Sequence, residues 1–203
     1  MKKSEQFLKA TKSKGATKTL KIAVDLQQHH NGELQAVDMG CGAGNDTNYS
    51  LSRGYIVFAF DSEPAAIDSI RDLENAKSGQ SRFRSEVATF ADVTLPSSDL
   101  VNAAFSLPFH GRKGVEELWA KIFRSIRPNG LFAVQLFGEE DSWKDRDDLF
   151  FVSSDELSKF CEGYKTEFYK EMKGPGKTAV GGSKYWHVHH FVLRKAIPDS
   201  VDT

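Results

Sequence analysis

The chain has 203 residues, 39% hydrophobic and 27% charged, with a net charge of −1. That length suits one domain with a full core, and the balanced charge provides no global basic field for nucleic acid. No apolar run nears the roughly 18 residues a membrane helix needs, residues 1–14 lack an apolar signal region, and Cys41 and Cys161 make no disulfide framework, so the expected location is cytoplasmic, with no nucleic acid or membrane as partner.

Residues 1–16 are Lys- and Ser-rich and are expected to form a flexible or lid-like arm. Leu20, Ala23, Val24 and Leu26 mark a short helix over 17–30. Asn31-Gly32 stops it, and His29-His30 sits at its end, where a cation is favoured. Residues 34–39 read as the first strand, and 45–53 as a helix ended by Gly54. Residues 55–60 form a near-continuous apolar strand, as in a parallel sheet covered on both faces. Pro64 opens the next helix, with Ile67, Ile70 and Leu73 inward. A polar loop over 77–81 precedes a third strand at 82–87, placed near an edge.

The fourth strand is 99–105. Val115, Leu118, Trp119, Ile122, Phe123 and Ile126 recur at helical spacing. Pro128-Asn129-Gly130 reads as a turn before a fifth strand at 131–137. A charged loop, 139–148, leads to Ser153 and Glu156 at capping-box spacing. Residues 164–172 and 185–195 close the chain as a hairpin around a long glycine-rich loop. The tail, 196–203, is expected to fray. The order predicts an α/β fold in one domain, 17–195, with a mostly parallel seven-stranded sheet and an antiparallel last strand.

The stretch 34–61 is a strand, a glycine-rich turn, a helix and a second strand ending at Asp61. Such a unit binds nucleotides beyond the carboxyl ends of its strands. A dinucleotide fingerprint needs its third glycine where Asn45 stands, whereas here the glycine falls one residue early, at Gly44. This counts against a nicotinamide oxidoreductase. The run Asp38-Met39-Gly40-Cys41-Gly42-Ala43-Gly44, with Asp61 at the end of the second strand, resembles the binding signature of class I S-adenosylmethionine-dependent methyltransferases. Pro108-Phe109, Trp119, Arg127-Pro128-Asn129-Gly130, Gln135-Leu136-Phe137-Gly138 with Asp141 and Trp143, and Lys184-Tyr185-Trp186-His187 extend the resemblance. It runs from Thr17 to Lys195 and is nearest to the tellurite-resistance-type small-molecule methyltransferase domain.

The resemblance implies a three-layer Rossmann-like sandwich and S-adenosyl-L-methionine as cofactor. It places Asp38, Gly40, Cys41, Gly42, Gly44, Asn45, Asp61 and Ser62 around that cofactor, with Phe105 after the fourth strand. Glycines let a ligand approach the backbone, and a carboxylate such as Asp61 can accept from both ribose hydroxyls. The family's usual Asp at the adenine amino group is missing after the third strand, so Thr89 and Phe90 take that rim. Asn129 stands where the family has glycine and should change only the turn.

His110, past the fourth strand, is either a general base near neutral pH or a loop histidine in water. Gly174-Pro175-Gly176-Lys177-Thr178 mimics a phosphate loop but lacks its first glycine, and reads as a mobile hairpin loop, with a lid over the substrate as the alternative. In His187-Val188-His189-His190 only two rings share a face, with no acid at ligand spacing along the chain, so no metal is expected. Cys41 reads as a small residue filling the turn. Glu139-Glu140-Asp141 and the acids over 145–148 read as a solvated loop, or else Asp141 and Trp143 line the pocket mouth and favour a cationic or soft substrate. The expected function is methyl transfer to a small-molecule acceptor by a monomer or homodimer. The alternative is a non-catalytic cofactor-binding scaffold subunit.

Overall fold

The βα repeat folds as a three-layer sandwich in the computed structural model, which describes residues 3–27, 32–76 and 82–197. Helices α1 (Lys3–Thr11) and α2 (Lys18–Leu26) precede strand β1 (Gln35–Met39), α3 (Asn45–Ser52), β2 (Ile56–Asp61), α4 (Pro64–Ala76) and β3 (Phe83–Val87). Then come β4 (Ser98–Ala103), a 3₁₀ turn (Leu107–His110), α5 (Val115–Ser125), β5 (Ile126–Gly138) and β6 (Phe151–Val152). Helix α6 (Ser154–Phe160) and the hairpin of β7 (Tyr164–Lys177) and β8 (Ser183–Lys195) complete it.

The sheet order is β3-β2-β1-β4-β5-β8-β7. Strands β1 to β5 pair in parallel, while β8 runs antiparallel to both β5 and β7. The expected mostly parallel sheet with a reversed last strand is present. Strand β6 adds a two-residue parallel rung on β5 that pattern reading does not reveal. Helices cover both faces, which is why β1 and β2 are apolar and buried almost throughout. On one face α5 sets Leu118, Trp119 and Ile122 among Phe132 and Phe160. On the other, Leu20 and Ala23 of α2 meet Leu131, Ala133 and Val192. Each large side chain buried this way contributes about 1.5–3 kcal/mol. Helix α6 opens on the expected capping box between Ser153 and Glu156.

Two stretches expected as loops are strand. Pro128-Asn129-Gly130 lies inside β5. Asn129 holds φ 66° and the pairing with β4 shifts register between Ser98 and Leu100, so the segment is a bulge. Asparagine tolerates left-handed backbone better than most residues, so the family's glycine can be spared there. Gly174-Pro175-Gly176-Lys177 lies in β7, opposite Trp186, Tyr185, Lys184 and Ser183. Strand β7 is an edge, the one place where a sheet tolerates proline. Gly176 makes room for a ring: a Cβ there would stand 2.8 Å from Trp186 Cδ1. The turn itself is 178–182, closed by the Thr178 N–H donating to the Gly182 carbonyl at 2.6 Å. The end of the first expected helix with His29 and His30, the loop 77–81 and the tail from 198 lie outside the described residues.

Candidate active site

A cavity of about 1360 Å³ opens at the carboxyl ends of the parallel strands, where an open α/β sheet takes its ligands. Its first half is the turn from β1 into α3. The Gly40 and Cys41 N–H groups donate to the Phe60 carbonyl at 2.9 and 3.0 Å, tying the turn to β2. Gly40 holds φ 72°, and a Cβ there would lie 2.6 Å from Ser106 Cβ, so no other residue fits. Ser106 Oγ donates to the Met39 carbonyl at 2.6 Å and fixes that approach. Gly44 is set back from the cavity lining. It is the N-cap of α3 at φ 77°, and its task is to turn the chain into the helix.

Asp61 accepts the Gly42 N–H on Oδ2 and the Glu63 N–H on Oδ1, each at 3.0 Å. A carboxylate offers about four acceptor sites, so some remain for a ligand. Asp38 is buried; Oδ2 accepts from Thr47 Oγ1 at 2.6 Å and Oδ1 from Asn102 Nδ2 at 2.9 Å. The same amide donates to Asp46 Oδ2 at 2.9 Å, bridging two carboxylates. Burial, and then the Asp46 charge, push the Asp38 carboxyl up from 3.8 to about 7. Among the described residues neither acid has an ion-pair partner. Glycine backbone, a free-sided carboxylate and two unpaired buried acids fit a ligand with vicinal hydroxyls and positive charge, as S-adenosylmethionine has.

Helix α1 stands over this turn. Asn45 Nδ2 donates to the Thr11 carbonyl at 2.8 Å, and Thr17 donates to Asp46 through its N–H at 2.7 Å and its hydroxyl at 2.9 Å. Phe7, Leu8 and Thr11 therefore join the cavity lining. Polar side chains at the start of α3 are the only sequence signal for that docking.

Cys41, Asn45, Ser62, Thr89, Phe90, Phe105 and His110 also line the cavity. Burial pushes the Cys41 thiol far up, which removes it as a nucleophile. Phe90 meets Phe60 and His110 edge-on at 5.8 and 5.9 Å. Phe105 holds φ 53°, unusual for a bulky residue. Its N–H donates to Gln135 Oε1 at 3.1 Å, and Gln135 Nε2 donates on to Thr19 Oγ1. This backbone sets the Phe105 ring edge-on to Trp186 and His190.

The second half of the cavity is aromatic. Phe105, Phe109, Phe137, Trp143 and Trp186 form a contiguous wall with ring centroids 5.8–6.5 Å apart. Outside that wall, Lys184 Nζ lies 3.6 Å from the Trp143 centroid, 4.0 Å from Trp186 and 4.8 Å from Phe137. It is 2.5 Å from Asp141 Oδ1, and the two side chains are 2% and 0% exposed. Asp141 also accepts the Trp143 and His187 N–H groups. Asp141 is therefore no lure for a cationic substrate; its charge is committed to Lys184, and it is absent from the cavity lining. Burial lowers the Lys184 pKa while Asp141 opposes the shift.

Away from the cavity lining, His187 and His189 share a face of β8, with Glu171 opposite His189. This acid comes from the neighbouring strand, so spacing along the chain does not show it. The three offer ligand atoms within 4.8 Å of one another. His187 Nδ1 accepts the Glu140 N–H at 3.1 Å, so the hydrogen bonding puts the neutral ring's proton on Nε2, 2.9 Å from Glu171 Oε1. Burial, and then the His187 ring, push His189 down to about 4, so it is neutral at pH 7.

Residues 36–130 match the model of a methyltransferase domain family. The glycine turn, Asp38 and Asp61 all lie inside the matched stretch. The chain's fold is similar to TehB from Haemophilus influenzae, at 16% identity and a TM-score of 0.75 over 96% of this chain and 67% of that one. It is also similar to the Burkholderia thailandensis 1,6-didemethyltoxoflavin-N1-methyltransferase, solved with 1,6-didemethyltoxoflavin and S-adenosylhomocysteine (19% identity, TM-score 0.63, 89% of this chain and 79% of that one). The N-methyltransferase NodS from Bradyrhizobium japonicum WM9, solved with S-adenosylhomocysteine, shares 14% identity at a TM-score of 0.65 over 96% of this chain and 99% of that one. No curated protein sequence matches the chain. No helix among the described residues is long and apolar enough to cross a membrane.

Proposed function

We propose that this protein methylates a small-molecule acceptor. One observation carries the reading: a single cavity joins the acidic glycine turn to an aromatic chamber. When bound, S-adenosylmethionine supplies its methyl group, as an acceptor lone pair forms the new bond to carbon while the carbon–sulfur pair returns to sulfur. The chain's own part is to hold, orient and keep water out. Asp61 accepts from the ribose hydroxyls, and Asp38 and Asp46 face the cationic methionine end. Gly40, Cys41 and Gly42 lie along that end, with Asn45 and Ser62 beside it. Thr89 and Phe90 make the adenine rim, and α1 acts as a lid. Phe105 separates cofactor from acceptor. His110 takes the proton when the acceptor is a hydroxyl or thiol.

The Asp38 carboxyl titrates near pH 7 in the free protein. A cation beside it favours the ionised form, so binding expels the proton. Affinity for S-adenosylmethionine is therefore expected to fall as pH drops below about 7, and to level off above it. Asp38→Asn removes that dependence, and titrations from pH 5.5 to 8 would measure both. The folding term has the opposite sign. The neutral form adds stability that is complete below 3.8 and lost as pH rises through about 7. Turnover is tested by formation of S-adenosylhomocysteine over a panel of small hydroxyl, thiol and amine acceptors. Binding with no turnover on any of them would point to a scaffold subunit instead.

A further inference from the structure

The aromatic half of the cavity also carries information about the acceptor. Its five rings come from three separate places: after β4, the end of β5 with the loop beyond it, and β8. Trp186 is seated by the absence of a side chain at Gly176, and Phe105 by left-handed backbone. Lys184 fixes three of the rings from outside the cavity. Its charge is balanced by Asp141, whose Oδ1 lies 2.5 Å away. The cavity's acids, Asp38, Asp46, Asp61 and Glu63, all stand at the glycine-turn end. Lys14 joins them there, while the hairpin side contributes Lys177 and Lys173, the latter paired with Glu140 and Glu171.

We propose that the acceptor is a planar aromatic ring bearing a hydroxyl or thiol, seated in the box of Phe105, Phe109, Phe137, Trp143 and Trp186. The identification rests on the methyl-transfer reading for its role as acceptor, but the box binds such a ring whether or not transfer follows. Rings stack or meet edge-on with a planar guest and gain little from a puckered saturated one. His110, on the same cavity wall, stands at the boundary between the box and the cofactor half, against Phe90.

Calorimetry on the full chain tests this, with and without S-adenosylhomocysteine. The probes are 2-naphthol and its saturated counterpart decahydro-2-naphthol. We expect 2-naphthol to bind about tenfold tighter than decahydro-2-naphthol, the scale of two or so ring contacts. Trp186→Leu should erase the preference while S-adenosylhomocysteine binding is kept. Phe109→Leu, at a position 54% exposed, provides the same test if Trp186→Leu does not fold. Equal or tighter binding of the saturated alcohol, or no binding of either probe, would overturn the proposal. A 2-naphthol preference with no affinity for S-adenosylhomocysteine would instead overturn the methyl-transfer reading and leave the aromatic site standing.

Discussion

Lys184→Met is expected to lower folding stability by about 3–5 kcal/mol, the cost of stranding one partner of a buried ion pair. Methionine keeps most of the volume inside the three rings, so the loss is electrostatic and not a cavity effect. What it leaves is the Asp141 carboxylate, 0% exposed, with only the Trp143 and His187 N–H groups to solvate it. The double variant Lys184→Met, Asp141→Asn should regain part of the loss: no charge is then buried and the amide oxygen still accepts one N–H, but its NH2 faces the other donor of Trp143 and His187. Urea unfolding midpoints of the wild type and both variants measure this. A loss below about 1 kcal/mol is what an exposed pair gives, and would mean that water reaches this one.

Asp61→Ala is expected to weaken S-adenosylmethionine and S-adenosylhomocysteine alike, by about 1.5–3 kcal/mol, or roughly ten- to a hundredfold. That is the range for charge-assisted hydrogen bonds such as those to the ribose hydroxyls. The free protein should lose less, since the stranded Gly42 and Glu63 N–H groups sit where water can reach them. Asp61→Asn should fall between, keeping one acceptor without the charge. Affinities unchanged in Asp61→Ala would remove this residue from ribose binding.

The parts of this account that were legible in the sequence rest on local signals. The strand-turn-helix unit around Gly40 and Gly42, the helical spacing of Leu118, Trp119 and Ile122, and the capping pair Ser153 and Glu156 all fold as their patterns require. The parts that were not legible depend on register between strands. Asn102 bridges Asp38 and Asp46 only because β4 lies beside β1. Lys184 finds Asp141 only because β8 passes the loop after β5. Glu171 reaches His187 across the hairpin. Gly174-Pro175-Gly176 has the composition of a loop and becomes strand because β7 is an edge that can spare proline's N–H. Gly44 belongs to the binding motif by spacing, yet its left-handed backbone serves the entry to α3.

The central claim is that the acidic glycine turn between β1 and α3 is a methyl-donor site. The most direct measurement is a calorimetric titration of the wild-type protein at pH 7.5 with S-adenosylmethionine, S-adenosylhomocysteine and the nicotinamide dinucleotide. Saturable binding of the first two, and none of the third, is the predicted result. No heat with either sulfur compound, or binding of the dinucleotide alone, would contradict it.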